Sequence, residues 1–467
     1  MSSKYQIVKG FRDVLPPESA LFWSAEKSAR EIFACFGYQE ILLPVVEYLE
    51  LFTRSIGDST DIVEKEMFII PDQKDRNLAL RPEATASAVR AYIEGLAGKG
   101  PQKLFYFGPM FRHERPQKGR YRQFWQIGAE AIGYPGPATD AELLKLLEQY
   151  FKSFGLSEIE LKLNSLGCAK CRPVYRQNLV EYLKASQSKL CQDCKRRLAQ
   201  NPLRVLDCKH QDCRTIAQTA PSPLEALCPE CSEHFDRLRV YLEMCKLSYT
   251  LDPHLVRGLD YYTRTVFEFQ ARTGLGAQNA VAAGGRYDDL ISEMGGPATP
   301  AIGFALGVER LLILLEEKIP RETLINRPDI FMVAVGDQAY KFAFKLLFDL
   351  RRAGLYAEMA VDEPSRSLRS QLKLADKTRS RLAMIVGDDE LKSRSLNVKI
   401  LESGKELKLD NNSLKAMAGV DWEEMKMHLN SAGFAFVSRD YEKMLIENQN
   451  LFKVLKIYLD ALENQEG

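Results

Sequence analysis

Phe111-Arg112-His113-Glu114-Arg115-Pro116-Gln117-Lys118-Gly119-Arg120-Tyr121-Arg122-Gln123-Phe124 joins two β-rich runs, residues 103–111 and 124–132. Strand side chains alternate between faces, so two such runs around a short charged stretch read as a long antiparallel hairpin. Six basic or imidazole groups fall within residues 112–122. Guanidinium forks bind phosphate bidentately and stay charged at any useful pH. Arg112 and Phe124 can meet across such a hairpin, setting a phosphate clamp beside a ring on which a base can stack. The plainer alternative is a solvated, charge-rich hairpin tip.

Three further stretches carry chemistry. Leu80-Arg81-Pro82-Glu83-Ala84-Thr85 leads into a helix expected at 84–94. A carboxylate at that point can cap the helix or receive a substrate ammonium. Arg257-Gly258-Leu259-Asp260-Tyr261-Tyr262-Thr263-Arg264 and Ala283-Gly284-Gly285-Arg286-Tyr287-Asp288 combine glycines, which permit close backbone approach, with Tyr261, Tyr262 and Tyr287, which can wall a flat polar ring. Two turns with surface arginine and core tyrosine would explain them equally. In Gly303-Phe304-Ala305-Leu306-Gly307-Val308-Glu309-Arg310 a strand should enter a helix near Gly307 and set Arg310 in its first turns. An arginine in that apolar setting needs an anion, either a ligand or a structural acid such as Glu309.

The chain has 467 residues, 45% of them apolar and 27% charged. That suits several globular cores and excludes a disordered chain or a disulfide miniprotein. Lys+Arg is 64 against Asp+Glu 63, so an anionic partner must be held by local clusters. No apolar core of signal-peptide length opens the chain, and the most apolar window, 301–315, is broken by Glu309 and Arg310 and is too short for a bilayer. The expectation is a cytoplasmic protein without a membrane segment. Residues 330–415 alternate strands (Ile330–Val335, 355–361, 382–386) with helices (338–353, 368–379), the pattern of a parallel or mixed sheet covered by helices.

In this order the pieces resemble the histidyl-tRNA synthetase family of class II aminoacyl-tRNA synthetases. Pro44 in ILLP, the hairpin and GFALGVERLLIL are similar to the three class II motifs; RGLDYYT and AGGRYDDL are similar to the two signatures peculiar to the histidine enzymes; the opening GFRDVLPPE fits as well. The resemblance implies an α+β protein: a catalytic core of antiparallel sheet flanked by helices (1–164 and 236–327), interrupted by a Cys-rich, mainly helical insertion (165–235), then an α/β anticodon-binding domain (328–415) and a C-terminal helical extension of unknown role (416–467). It implies a homodimer formed through the first motif, with L-histidine, ATP with Mg²⁺ and histidine tRNA as partners in a ligase reaction of protein biosynthesis. Carried over residue by residue, Glu83, Thr85, Gln126, Glu130, Tyr261 and Tyr262 would hold histidine. Arg112, Glu114, Arg120, Phe124 and Arg310 would hold ATP, with Arg257 and Arg112 catalytic. Arg115, Gln117 and Lys118 would meet the tRNA acceptor end.

Two rival readings exist. A non-catalytic synthetase paralogue that regulates histidine biosynthesis would lack the last α/β domain and active-site residues, both present here. A nucleic-acid-binding module working through its cysteine-rich part should be strongly basic, and the net charge is +1.

Eight of the ten cysteines fall between Cys168 and Cys231 as four pairs: Cys168/Cys171, Cys191/Cys194, Cys208/Cys213 and Cys228/Cys231. Cytosolic thiols stay reduced, and Cys-x2-Cys-x19-Cys-x2-Cys is close to the spacing of structural zinc, so one or two Cys₄ sites are expected. His210 and His234 stand near the pairs and could replace a thiolate. The spacing leaves open which pairs share a metal; a helical insert with reduced, partly buried thiols is the alternative.

Overall fold

A computed structural model describes residues 5–410 apart from 57–59, 61, 73–75, 207, 209, 257–260, 277–278, 321–326, 353, 362–365 and 394. Arg257 and the extension at 416–467 therefore lie outside the described residues. The chain divides into two compact units, Met1–Ile325 and Asn326–Gly467.

The first unit begins with helix α1 (Glu18–Cys35) and edge strand β1 (Gln39–Glu40). Leu21, Ala25, Ala29 and Phe33 recur one turn apart on α1 and form its buried face. Phe33 meets the rings of Phe105, Tyr150 and Phe304 edge-on at 5.5–5.9 Å, pinning the helix to the sheet. Strand β2 (Val46–Tyr48), helix α2 (Leu49–Ile56) and strands β3 (Phe68–Pro71) and β4 (Asn77–Leu80) follow, the three strands making a small antiparallel sheet in the order β2-β4-β3. Helix α3 (Thr85–Gly95) then leads to the long hairpin β5 (Gln102–Phe111) and β6 (Gln123–Ile132), paired antiparallel from Gln102↔Ile132 to Phe111↔Gln123. The hairpin and the α3 boundaries match the reading from hydrophobic pattern to within one residue.

Helix α4 (Pro137–Ser153) starts on Pro137, whose missing N–H costs nothing at a first helical position. After β7 (Ile159–Ser165) the insertion comprises α5 (Cys171–Ala185), α6 (Gln192–Gln200) and α7 (Gln211–Ala217) around its own small core. Helix α8 (Pro229–Met244) crosses the expected 235/236 boundary. It starts among the insert cysteines, while its Phe235, Leu238 and Leu242 belong to the main catalytic core. Strands β8 (Thr250–Leu251), β9 (Thr263–Ala271) and β10 (Ala280–Arg286), helix α9 (Leu290–Glu293), β11 (Ala301–Gly307) and α10 (Val308–Glu316) complete the unit. The main sheet runs β1-β5-β6-β11-β10-β9-β7-β8. Its six inner strands are antiparallel, as expected, and a short parallel strand is added at each edge.

In the second unit β12 (Ile330–Val335), α11 (Asp337–Arg352), β13 (Ala357–Met359), α12 (Leu368–Lys377) and β14 (Leu382–Gly387) show the expected alternation. Helix α13 (Asp388–Ser393) and two further strands, β15 (Ser395–Ile400) and β16 (Glu406–Asp410), add an antiparallel edge, giving the order β13-β12-β14-β15-β16. The parallel strands are apolar because both faces are covered, one by the cluster around Phe342 and Leu346, the other by that around Phe331 and Ala375.

Candidate active site

A cavity of about 530 Å³ opens over the middle of the main sheet. Glu83, Thr85, Gln126, Tyr261 and Tyr262 line it, and so do Arg112, Glu114, Arg120, Phe124 and Arg310. Segments more than two hundred residues apart, Glu83 and Arg310, thus meet in one wall.

One part of the wall carries acid. Both oxygens of Glu83 accept from the first N–H groups of α3, Thr85 N at 2.6 Å and Ala86 N at 3.0 Å. Glu83 is therefore a helix cap and a cavity wall at once, and burial raises its pKa. Glu130 is fully buried one layer deeper. It accepts from Thr85 Oγ1 at 2.9 Å, Tyr106 Oη at 3.2 Å and Tyr287 Oη at 2.5 Å. Glu130 does not itself line the cavity but reaches it through Thr85. Burial pushes its pKa up to about 8, against hydroxyl donors that pull it down. A Cβ added at Gly303 would stand 1.6 Å from Glu130 Oε2, so glycine is required where β11 passes this carboxylate. Among the described residues the buried Gln126 Oε1 has no hydrogen-bond partner. Two buried carboxyls and an unused acceptor make an environment for a cationic group.

Another part of the wall is cationic. The Arg112 guanidinium lies 5.3 Å from the Phe124 ring centroid, the cross-hairpin contact expected from sequence, and its Nε donates to Pro82 O at 2.9 Å. Arg120 pairs with Glu114 at 2.7 Å. Arg310, in the first turn of α10, donates to Ala280 O at 2.5 Å. It does not pair with Glu309, whose carboxylate accepts from Trp125 N at 3.0 Å. Burial and then the neighbouring Arg120 lower the Arg310 pKa, an electrostatic demand for an anion.

Arg115, Gln117 and Lys118 are exposed at the hairpin tip, outside the cavity wall. The tip closes through reciprocal bonds between Gln117 and Arg120, with Gly119 at φ +73° supplying the left-handed turn residue.

The second histidine-type signature has another task than walling a ring. Arg286, expected as a surface side chain if the motif were structural, is fully buried: it pairs with Asp140 at 2.5 Å and Asp288 at 3.1 Å and donates to Tyr134 O at 2.7 Å. Tyr287 packs beneath the cavity, holds Glu130 and does not line the wall. Sequence reasoning passed over Tyr121, Glu268, Gln270 and Asn279, all in the wall. Glu268 and Gln270 alternate with buried Phe267 and Phe269 along β9, a polar face visible in the sequence.

The eight insert thiols gather into two groups that could hold a metal, Cys168/Cys171/Cys228/Cys231 and Cys191/Cys194/Cys208/Cys213, with the sulfur atoms of each group within 4.8 Å of one another. All are free thiols, and neither His210 nor His234 joins a group. Among the described residues no helix is long and apolar enough to cross a membrane.

Residues 10–311 match the family model for histidyl-tRNA synthetase, and residues 329–418 match the anticodon binding domain model. A histidine–tRNA ligase of Trichlorobacter lovleyi is 50% identical over 402 residues, 85% of this chain and 94% of the relative. A histidine–tRNA ligase of Geobacter sulfurreducens is 49% identical over 405 residues, 86% and 96% of the two chains. The crystal structure of apo Staphylococcus aureus histidyl-tRNA synthetase superposes with a TM-score of 0.73 at 35% identity, covering 88% of this chain and 98% of that one. The chain belongs to the histidyl-tRNA synthetase family, the family that its motifs resemble.

Proposed function

We propose that the cavity activates L-histidine with ATP and passes it to histidine tRNA. One observation carries this reading: a single cavity has a buried-carboxyl part and a three-arginine part, matching an amino acid's ammonium and a triphosphate. Glu83 and Gln126 accept from the ammonium. Thr85 is oriented by Glu130 behind it, and Tyr261 and Tyr262 flank the imidazole. Pairing both ring nitrogens rejects analogues that lack them by roughly 10⁴–10⁵.

The histidine carboxylate attacks the α-phosphorus of ATP, forming histidyl-adenylate as pyrophosphate leaves. The terminal ribose hydroxyl of tRNA then attacks the adenylate carbonyl, releasing AMP. Neither step needs a protein nucleophile; both need charge neutralisation and placement. Arg112 flanks the α-phosphate, with Arg257 as the second cation there. Arg120, held by Glu114, and Arg310 take the β- and γ-phosphates, and the adenine stacks on Phe124. Glu114 and Glu268 put hard oxygen donors on the cavity wall, fitting Mg²⁺, which would share phosphate charge when bound. Arg115, Gln117 and Lys118 meet the acceptor end, and the second unit reads unstacked anticodon bases. The insert thiols hold structural zinc.

Leu42, Val46, Tyr48, Ile69 and Ile70 are exposed apolar side chains on and beside the β2-β4-β3 sheet, which supports a homodimer through this face. Ten unpaired cysteines suit a cytoplasmic enzyme. The intact arginines and the anticodon-binding match speak against a silent regulatory paralogue. A charging assay with every amino acid tests the function: histidine tRNA accepts histidine alone, and charging with another amino acid would overturn the assignment.

The raised pKa of Glu130 gives a pH prediction. Between its ordinary value of 4.5 and about 8 the folded chain binds this proton more tightly than the unfolded chain, so the group's contribution to stability falls as pH rises through that window. A bound ammonium favours the carboxylate, so histidine binding releases protons below about 8. At about pH 7.3, above the ordinary imidazole pKa, calorimetry in buffers of different protonation heat should show net proton release. Glu130→Gln should abolish it; an undiminished release in that variant would remove Glu130 from the linkage.

A further inference from the structure

The four cysteine pairs are combined in a nested way. Cys168 and Cys171 stand where the chain leaves β7 for the insert, and Cys228 and Cys231 where it returns in α8; the other four lie between. Neighbouring pairs along the chain, 168/171 and 191/194, do not share a group.

The sulfur spacing has a chemical signature. Cys168 Sγ lies 3.8 Å from Cys171 Sγ and 3.9 Å from Cys228 Sγ, and Cys191 Sγ lies 3.9 Å from Cys208 Sγ. A disulfide would need about 2.0 Å. Four thiolates about 2.3 Å from a central zinc form a tetrahedron with edges of about 3.8 Å. Backbone N–H groups point at the sulfurs, as expected where thiolate charge must be stabilised: Cys228 N to Cys171 Sγ at 3.0 Å, Cys191 N to Cys213 Sγ at 3.3 Å, Cys194 N to Cys191 Sγ at 3.4 Å and His210 N to Cys208 Sγ at 3.5 Å.

The two groups differ in what surrounds them. The inner one sits in the insert's own core with Leu179, Leu183 and Val205, a core too small to be stable without a staple. The neck group is bonded to the catalytic core. Arg172, next to Cys171, donates Nη2 to Tyr262 O at 2.8 Å. Arg264 N donates to Gly167 O at 2.8 Å and Leu166 N to Arg264 O at 2.7 Å, tying the segment before Cys168 to the strand that follows Tyr262.

We propose that these are two separate tetrathiolate zinc sites with different tasks: the inner site holds the insert together, and the neck site fixes Arg172 and so the backbone of the histidine pocket at Tyr262. The first half stands on sulfur geometry alone; the second rests on the cavity being the histidine site. Four protein ligands leave no open position, so both sites are structural. Arg172 is a positioning residue.

Full-length protein purified without chelator should contain two zinc ions per chain by elemental mass spectrometry, and X-ray absorption should show four sulfur ligands at about 2.3 Å. Changing Cys168, Cys171, Cys228 and Cys231 together to serine should remove one zinc. Changing Cys168, Cys171, Cys191 and Cys194 should remove both. The reverse outcome would refute the nested pairing, and wild-type protein with no zinc and all ten thiols free to titrate would end the proposal. Because those variants remove ligands that hold the insert together, Arg172→Ala supplies the second arm. It should keep two zincs and raise the histidine KM about fivefold, the worth of one hydrogen bond, with the ATP KM and turnover little changed. Arg172→Lys should restore part of the loss. An unchanged histidine KM in Arg172→Ala would overturn the link to the pocket. Zinc content is read without any activity, so failure of the ligase assignment is seen separately, as wild-type protein that charges nothing.

Discussion

Arg112→Ala lowers the turnover of histidine-dependent ATP–pyrophosphate exchange about 10²- to 10³-fold, the loss expected when one preorganised donor to a developing charge is removed. The side chain is fixed before substrate arrives. Nε is held by Pro82 O at 2.9 Å, and the guanidinium plane is backed by the Phe124 ring at 5.3 Å. No reorganisation is then needed as charge develops on the α-phosphate. Arg112→Lys recovers little, because one ammonium cannot hold both the carbonyl and a phosphate fork. The histidine KM should move far less than turnover, since the ammonium is held in another part of the wall. Steady-state exchange kinetics check this; unchanged turnover with a large rise in histidine KM would show that the role is wrongly assigned.

Arg286→Ala costs about 3–5 kcal/mol of stability, the usual price of leaving a buried charge unpaired. Asp140, fully buried at the start of α4, loses its 2.5 Å partner and is left with the Thr265 hydroxyl at 2.7 Å and the His234 ring at 3.7 Å. Asp288 loses its 3.1 Å ion pair with the end of β10 and keeps the bond it accepts from Ala301 N at 3.2 Å. Urea unfolding of the full chain reads the effect. Arg286→Met combined with Asp140→Leu should recover part of the loss, because no charge is then left buried. An Arg286→Ala protein as stable as wild type would contradict the buried network.

The contrast between these arginines shows where sequence reading succeeds. Arg112 was legible because a hairpin dictates its partner: β-rich runs at 103–111 and 124–132 fix which residues face each other, and Phe124 follows. The boundaries of α3 and of the β11–α10 junction were legible for the same local reason, a change of hydrophobic period at Thr85 and at Gly307. Arg286 was not, since its partner Asp140 stands 146 positions away and nothing near the motif announces burial. Glu130 reads as a pocket residue by resemblance, yet whether it touches the cavity or stands behind Thr85 depends on how β6, β11 and α3 stack. Cysteine pairing failed to be legible on the same ground. Spacing left open which pairs share a metal, and the return of α8 to the core is what brings Cys228 to Cys171 from 57 residues away.

The central claim is that one cavity reads an amino acid's ammonium in its carboxyl part and a triphosphate in its arginine part, and that the amino acid is histidine. Isotope exchange between pyrophosphate and ATP, run with each amino acid in turn and without tRNA, tests it most directly. Exchange supported by histidine and by no other amino acid is the predicted result; exchange that needs no amino acid, or that another amino acid supports as well as histidine, would contradict it.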